Sequence, residues 1–97
     1  MENNISNENW ISVKKEGLPK LECFSIDNFS SVNRSKEVLI QTKRGQLFTA
    51  ECWKIVYANK KWEDKIEWFS YGTGGRKMKV MSKVIAWMEL PKKYEGE

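Results

Sequence analysis

Val84-Ile85-Ala86-Trp87-Met88-Glu89-Leu90-Pro91 is the most apolar stretch of the chain, and it decides how the rest is read. β-Branched and aromatic side chains suit a buried strand. Proline cannot donate to a sheet ladder, so it ends the run. Near the front, Trp10-Ile11-Ser12-Val13 and then Leu18-Pro19 have the same character. The two stretches are read as the last and first strands of one small domain over residues 10–91. Residues 1–9 are expected to be a flexible leader and residues 92–97 a tail.

Between these ends the sequence alternates. Residues 37–43 (EVLIQTK) read as a strand, and Lys43-Arg44-Gly45-Gln46 as a tight turn in which Gly45 supplies a positive φ. On the return, Phe48, Ala50 and Cys52 fall on one face and Thr49 and Glu51 on the other, the period of a half-buried strand. Trp53, Ile55, Val56 and Tyr57 extend it, against a competing helix over residues 50–61. Asn59-Lys60-Lys61 is a second turn. Trp62, Ile66 and Trp68 then share a face that Asp64 interrupts. Residues 71–77 read as a glycine-rich loop, and residues 78–81 as a short strand. Residues 20–36 are the least regular segment, an ordered loop with at most a short edge strand. Successive hairpins without a βαβ spacing predict a mainly β fold: a small antiparallel sheet of about five strands, curled or partly barrel-like, with little or no helix.

The order Trp10-Ile11-Ser12-Val13, Leu18-Pro19, Glu37-Val38-Leu39-Ile40, Gly45 and Val84 to Pro91 resembles a short domain family of unknown function found in tailed phages, prophages and other bacterial mobile elements. Its members open with W-I-S/P-V and L-P, run through V-L-V and a glycine hairpin, and end in V-T-H-W-M-x-L-P. Two departures stand out: residues 20–36 form a longer insertion, and Ala86 replaces the histidine before the tryptophan. The resemblance implies a small phage or prophage product that binds and redirects host machinery. It transfers no catalytic residue.

Composition narrows the chemistry. The 97 residues, 40% of them hydrophobic, suit one domain with a modest core; about 60–65% of the unfolded surface is buried at this size. The longest apolar run has five residues, against the roughly 20 needed to span a membrane, and the front has no secretory signal pattern. Two cysteines without a CxxC spacing read as reduced thiols, which points to cytosolic residence, and the resemblance implies that this is the bacterial host cytoplasm. There is no histidine, which removes the common nucleophilic triads and the commonest metal ligand. Glu63 and Glu67 on one strand face stand about 13 Å apart, too far to grip one ion. The glycines from Gly72 to Gly75 lack the GxxxxGK[ST] spacing of a phosphate loop. The expectation is therefore no enzyme, no metal and no cofactor.

Binding remains. With Glu2, Glu8, Glu95 and Glu97 set aside, 17 basic side chains face 9 acidic ones, a net of +8 on the body. That surplus attracts nucleic acid or an acidic protein, and it is also what keeps a lysine-rich surface soluble. Of five tryptophans, Trp10 and Trp87 are assigned to the core, while Trp53, Trp62 and Trp68 cannot all be buried in so small a domain. Lys60, Lys61, Trp62, Tyr71, Arg76, Lys77 and Lys79 are the candidate surface. Aromatics interleaved with cations suit single-stranded RNA or a ribonucleoprotein, and equally a protein groove with an acidic rim. The leading expectation is a non-enzymatic protein that inhibits or redirects a host protein or ribonucleoprotein. A CRISPR effector with its guide RNA is one concrete target. The alternatives are a direct RNA- or DNA-binding protein and a binder of a small anionic nucleotide.

Overall fold

The computed structural model describes residues 9–91. Its elements, in order, are β1 (Ile11–Ser12), α1 (Val13–Glu16), β2 (Glu22–Ile26), β3 (Ser30–Arg34), β4 (Val38–Thr42), β5 (Leu47–Tyr57), β6 (Lys65–Tyr71), a 3-10 turn (Thr73–Gly75), β7 (Lys77–Lys79) and β8 (Val84–Glu89). The strands form one antiparallel sheet in the order β1-β8-β4-β5-β3-β2, with β6 added to β5 and β7 to β6.

The eleven-residue β5 organises the sheet. Its first half pairs with β4, from Leu47 opposite Gln41 to Ala50 opposite Val38. Its second half pairs with β3, from Trp53 opposite Arg34 to Tyr57 opposite Ser30. β6 takes the other edge, from Glu51 opposite Phe69 to Ile55 opposite Lys65. β3 and β4 thus run end to end along one edge of β5, and Ser35 joins them. Burial alternates with period two from Thr49 to Trp53, and residues 53–57 are half-buried throughout. The β-branched and aromatic residues 53–57 make strand, not the competing helix.

Buried apolar side chains gather on one face of the β4–β5–β8 half. They are Val38, Ile40, Ala50, Cys52, Trp68, Val84 and Trp87, with Ile11, Val13, Leu18, Leu21, Phe48 and Val80 packed around them. Trp68 arrives on β6 and Trp87 on β8, from opposite sides of β5, so the sheet curls around this cluster. Each fully buried large side chain contributes about 1.5–3 kcal/mol. Trp87 also satisfies its indole: Nε1 donates to the Gly17 carbonyl at 3.0 Å. Gly17 reaches that position at φ 100°, a conformation that favours glycine.

The mainly β, antiparallel expectation holds, and several details differ from it. Among the described residues there are eight strands rather than about five, and the curled sheet does not close into a barrel. β1 pairs only with β8, and β7 only with β6, among the described residues. Residues 20–36 form a hairpin, not a loop. Asp27 Oδ1 accepts from the Phe29 and Ser30 amides at 2.7 and 2.8 Å and closes its turn. Residues 13–16 make a single helical turn because the Ser12 side chain accepts from the Lys15 amide at 3.1 Å. Trp10 is half-buried and is not part of the core cluster. Trp62 lies in the turn before β6, its amide donating to the Asn59 carbonyl, and not on the strand's inner face. Tyr71 ends β6 instead of opening the loop, and β7 starts at Lys77. The leader and tail fall outside the described residues, apart from Asn9.

Candidate binding face

On β5 the residues with even numbers from Ala50 turn toward the core side, so Glu51, Trp53, Ile55 and Tyr57 turn outward. The pairing then fixes which neighbours share the outward face. Arg34 lies opposite Trp53 on β3, and Glu67 opposite Trp53 on β6. Phe69 lies opposite Glu51, and Lys79 and Lys77 lie opposite Phe69 and Tyr71 on β7. On β2 the register shifts between Cys23 and Ser25, a bulge that aims Phe24 onto the same face.

The side chains interlock in a row across five strands. The Arg34 guanidinium sits 3.7 Å from the Phe24 ring centroid and 5.9 Å from that of Trp53. The Lys77 ammonium sits 4.2 Å from the Trp53 centroid and 4.5 Å from that of Phe69. Phe24 and Trp53 are tilted at 5.7 Å, and Trp53 and Phe69 meet edge to face at 5.2 Å. Each cation–ring contact contributes about 0.5–1 kcal/mol at exposed sites, and each ring pair about 0.5–1.5 kcal/mol. The row therefore holds its own geometry.

Two carboxylates on the same face brace it. Glu51 Oε1 accepts from Trp53 Nε1 at 3.1 Å and from the Tyr71 hydroxyl at 2.9 Å, with Arg34 at 3.9 Å. Partial burial and the bond to Glu51 both raise the Tyr71 phenol above its ordinary pKa. Glu67 pairs with Lys79 at 2.9 Å and Lys65 at 3.2 Å. The Lys79 hydrogen bond, helped by Lys65, holds its carboxyl below the usual range against partial burial.

Of the residues expected at the surface, Tyr71, Lys77 and Lys79 come together here, on the paired strands β6 and β7. Arg76 stands just before β7, in the loop, where its carbonyl accepts from the Gly72 amide at 2.8 Å. Lys60, Lys61 and Trp62 stand at the other end of β5, where Trp62 meets Tyr57 edge to face at 5.2 Å. Six residues of strand, about 20 Å, separate Tyr57 from Glu51. Trp62 is 60% exposed and Trp68 8%, so the three uncommitted tryptophans divide as size required. Phe24, Arg34, Glu51 and Phe69 were not singled out from the sequence, and Trp53 only as one of the three tryptophans that cannot all be buried. The alternation of β5 carried the signal for Glu51 and Trp53, whereas Phe24 and Arg34 were marked only by lying in the 20–36 insertion, the segment expected to carry member-specific function.

A cleft of about 410 Å³ lies between residues 19–22, the link from β3 into β4 and the end of β8. Pro19, Val38, Trp87 and Leu90 form its apolar lining, and Lys20, Lys36, Glu22, Glu37 and Glu89 add mixed charge. Among the described residues, no three of His, Cys, Asp and Glu are placed to hold a metal ion, and no helix is long and apolar enough to cross a membrane. No family model, curated protein or solved structure matches the chain.

Proposed function

We propose that this chain is a non-enzymatic interaction protein that binds a host protein or ribonucleoprotein through the outward face of β2, β3, β5, β6 and β7. The phage and prophage resemblance of the two end motifs supplies the biological setting: a mobile-element product acting in the bacterial host cytoplasm, where a defence ribonucleoprotein such as a CRISPR effector with its guide RNA is one target. The observation that carries the reading is the row Phe24–Arg34–Trp53–Lys77–Phe69. Three rings and two cations are laced together on the side of the sheet away from the core, with Phe24 50% exposed. Large aromatics and arginine are the usual anchors of interfaces.

Affinity capture from the native host, with protein and RNA both identified, tests this. A stoichiometric partner captured by the wild type and lost with Trp53→Ala or Lys77→Glu supports the proposal. A partner retained by both variants, or no partner at all, rejects it.

A further inference from the structure

Resting on that reading, we infer that the element contacting the outward face is a single-stranded nucleic acid, laid across the sheet from β2 to β7. Phe24 is 50% exposed with Arg34 covering one side of its ring, which leaves aromatic surface free for a base. Base–ring stacking tolerates any sequence because every base has a π-face. Arg34 and Lys77 are held over rings, so their remaining N–H donors occupy fixed positions for phosphate oxygens. Arg76 adds a third cation beside β7, on the chain leading to Lys77.

The carboxylates do not oppose this arrangement. Glu51 accepts from Trp53 and Tyr71, and Glu67 is paired with Lys65 and Lys79. Glu22 stands at the margin, opposite Arg34. Five strands give four spacings of about 4.8 Å, a platform roughly 19 Å wide. Sheets that read RNA stack two or three bases on a platform of this kind. An apolar protein knob fits the row poorly: it would strip water from Arg34 and Lys77 and offer no counter-charge, which costs free energy. Phosphates supply that charge. A duplex keeps its bases stacked on each other and leaves Phe24 nothing to stack on.

Fluorescence anisotropy with labelled oligo-U and oligo-A RNA, oligo-dT DNA and an RNA duplex of the same length provides the test. Single strands are expected to bind in preference to the duplex. Phe24→Ala should weaken them about five- to hundred-fold, the range of one lost stacking contact. Lys77→Glu should weaken them too, and both variants should keep the wild-type circular dichroism because both positions are exposed. Three phosphate contacts predict a slope of log affinity on log salt of about −2 for single strands. No single-strand binding at about 50 mM salt, preference for the duplex, or binding that survives both variants overturns the inference. Loss of a captured protein partner in these variants without any oligomer binding would overturn it while leaving the proposed function standing. If the variants alter neither oligomer binding nor capture, both fall.

Discussion

Ser35 and Cys52 are joined by two hydrogen bonds of 2.9 Å: the Ser35 amide donates to the Cys52 carbonyl, and the Cys52 amide donates to Ser35 Oγ. Both residues are buried, and the serine hydroxyl donates onward to the Lys36 carbonyl at 2.7 Å. The pair marks the point where β3 hands the edge of β5 to β4. Ser35→Ala leaves the buried Cys52 amide without its acceptor, at a cost of about 1–3 kcal/mol. Urea unfolding should show a lower midpoint with an unchanged slope. An unchanged midpoint would mean that the hydroxyl is dispensable.

Cys52 and Cys23 should differ sharply as thiols. Cys52 is buried, and desolvation pushes its pKa up to about 12, against a smaller lowering by Lys54. Cys23 is exposed on β2. A thiol reagent at neutral pH should label one cysteine in the folded protein and two after unfolding, since the thiolate is the reactive form. The sign for stability follows from the raised value. The contribution is full below the ordinary thiol range and is lost as pH rises toward 12.

Acid acts through Glu67. Its carboxyl is held below the ordinary range by Lys79 first and Lys65 second. The stability this pairing gives is present above the unfolded value, about 4.3, and is lost as pH falls through the folded one. Lys79→Gln should cost about 0.2–1 kcal/mol at neutral pH, as expected of a surface pair, and should flatten the acid limb of a stability–pH curve. A variant whose acid limb matches the wild type would show that the pair does not set it.

The hairpin of β2 and β3 can be removed. Glu22 and Arg34 are cross-strand partners, so a short glycine linker replacing residues 22–34 spans the gap. The apolar core contains none of these residues. The shortened chain should keep the near-ultraviolet circular dichroism of Trp68 and Trp87 and lose partner capture. An unfolded product would show that β3 is needed to hold β5.

Trp62→Ala serves as the spatial control. Trp62 touches Tyr57, which lies four residues, about 13 Å, along β5 from Trp53 in the row. Capture should persist within about twofold, well under the 1.4 kcal/mol that a tenfold loss represents. A tenfold loss would extend the binding face to the β5–β6 turn.

Much of the fold was legible because burial writes itself as period two. Val38 and Ile40 alternate with the less buried Leu39 and Gln41, Ala50 and Cys52 alternate with Thr49, Glu51 and Trp53, and Val84 and Trp87 lie in the most apolar run. The β2–β3 hairpin was not legible, because none of its strand residues is buried and so none is forced to be apolar at fixed intervals. Its clue was chemical: Asp27 next to Asn28, whose carboxylate can close a turn on its own backbone. Half the candidate site was visible as Tyr71, Lys77 and Lys79. The other half depends on which strand lies beside β5. That is a matter of long-range pairing, and Arg34 and Trp53, 19 positions apart in the chain, give no local sign of meeting.

No residue from 20 to 34 or from 53 to 67 is buried, so the half of the sheet that carries Phe24, Arg34 and Trp53 rests on ladder hydrogen bonds and surface rings. Its backbone amides should exchange with solvent through local openings that leave β4 and β8 protected. A bound strand that bridges β2 to β7 must quiet those openings, and the entropy lost is subtracted from its affinity. Substitutions that merely stiffen the hairpin, touching no partner, will therefore tighten binding.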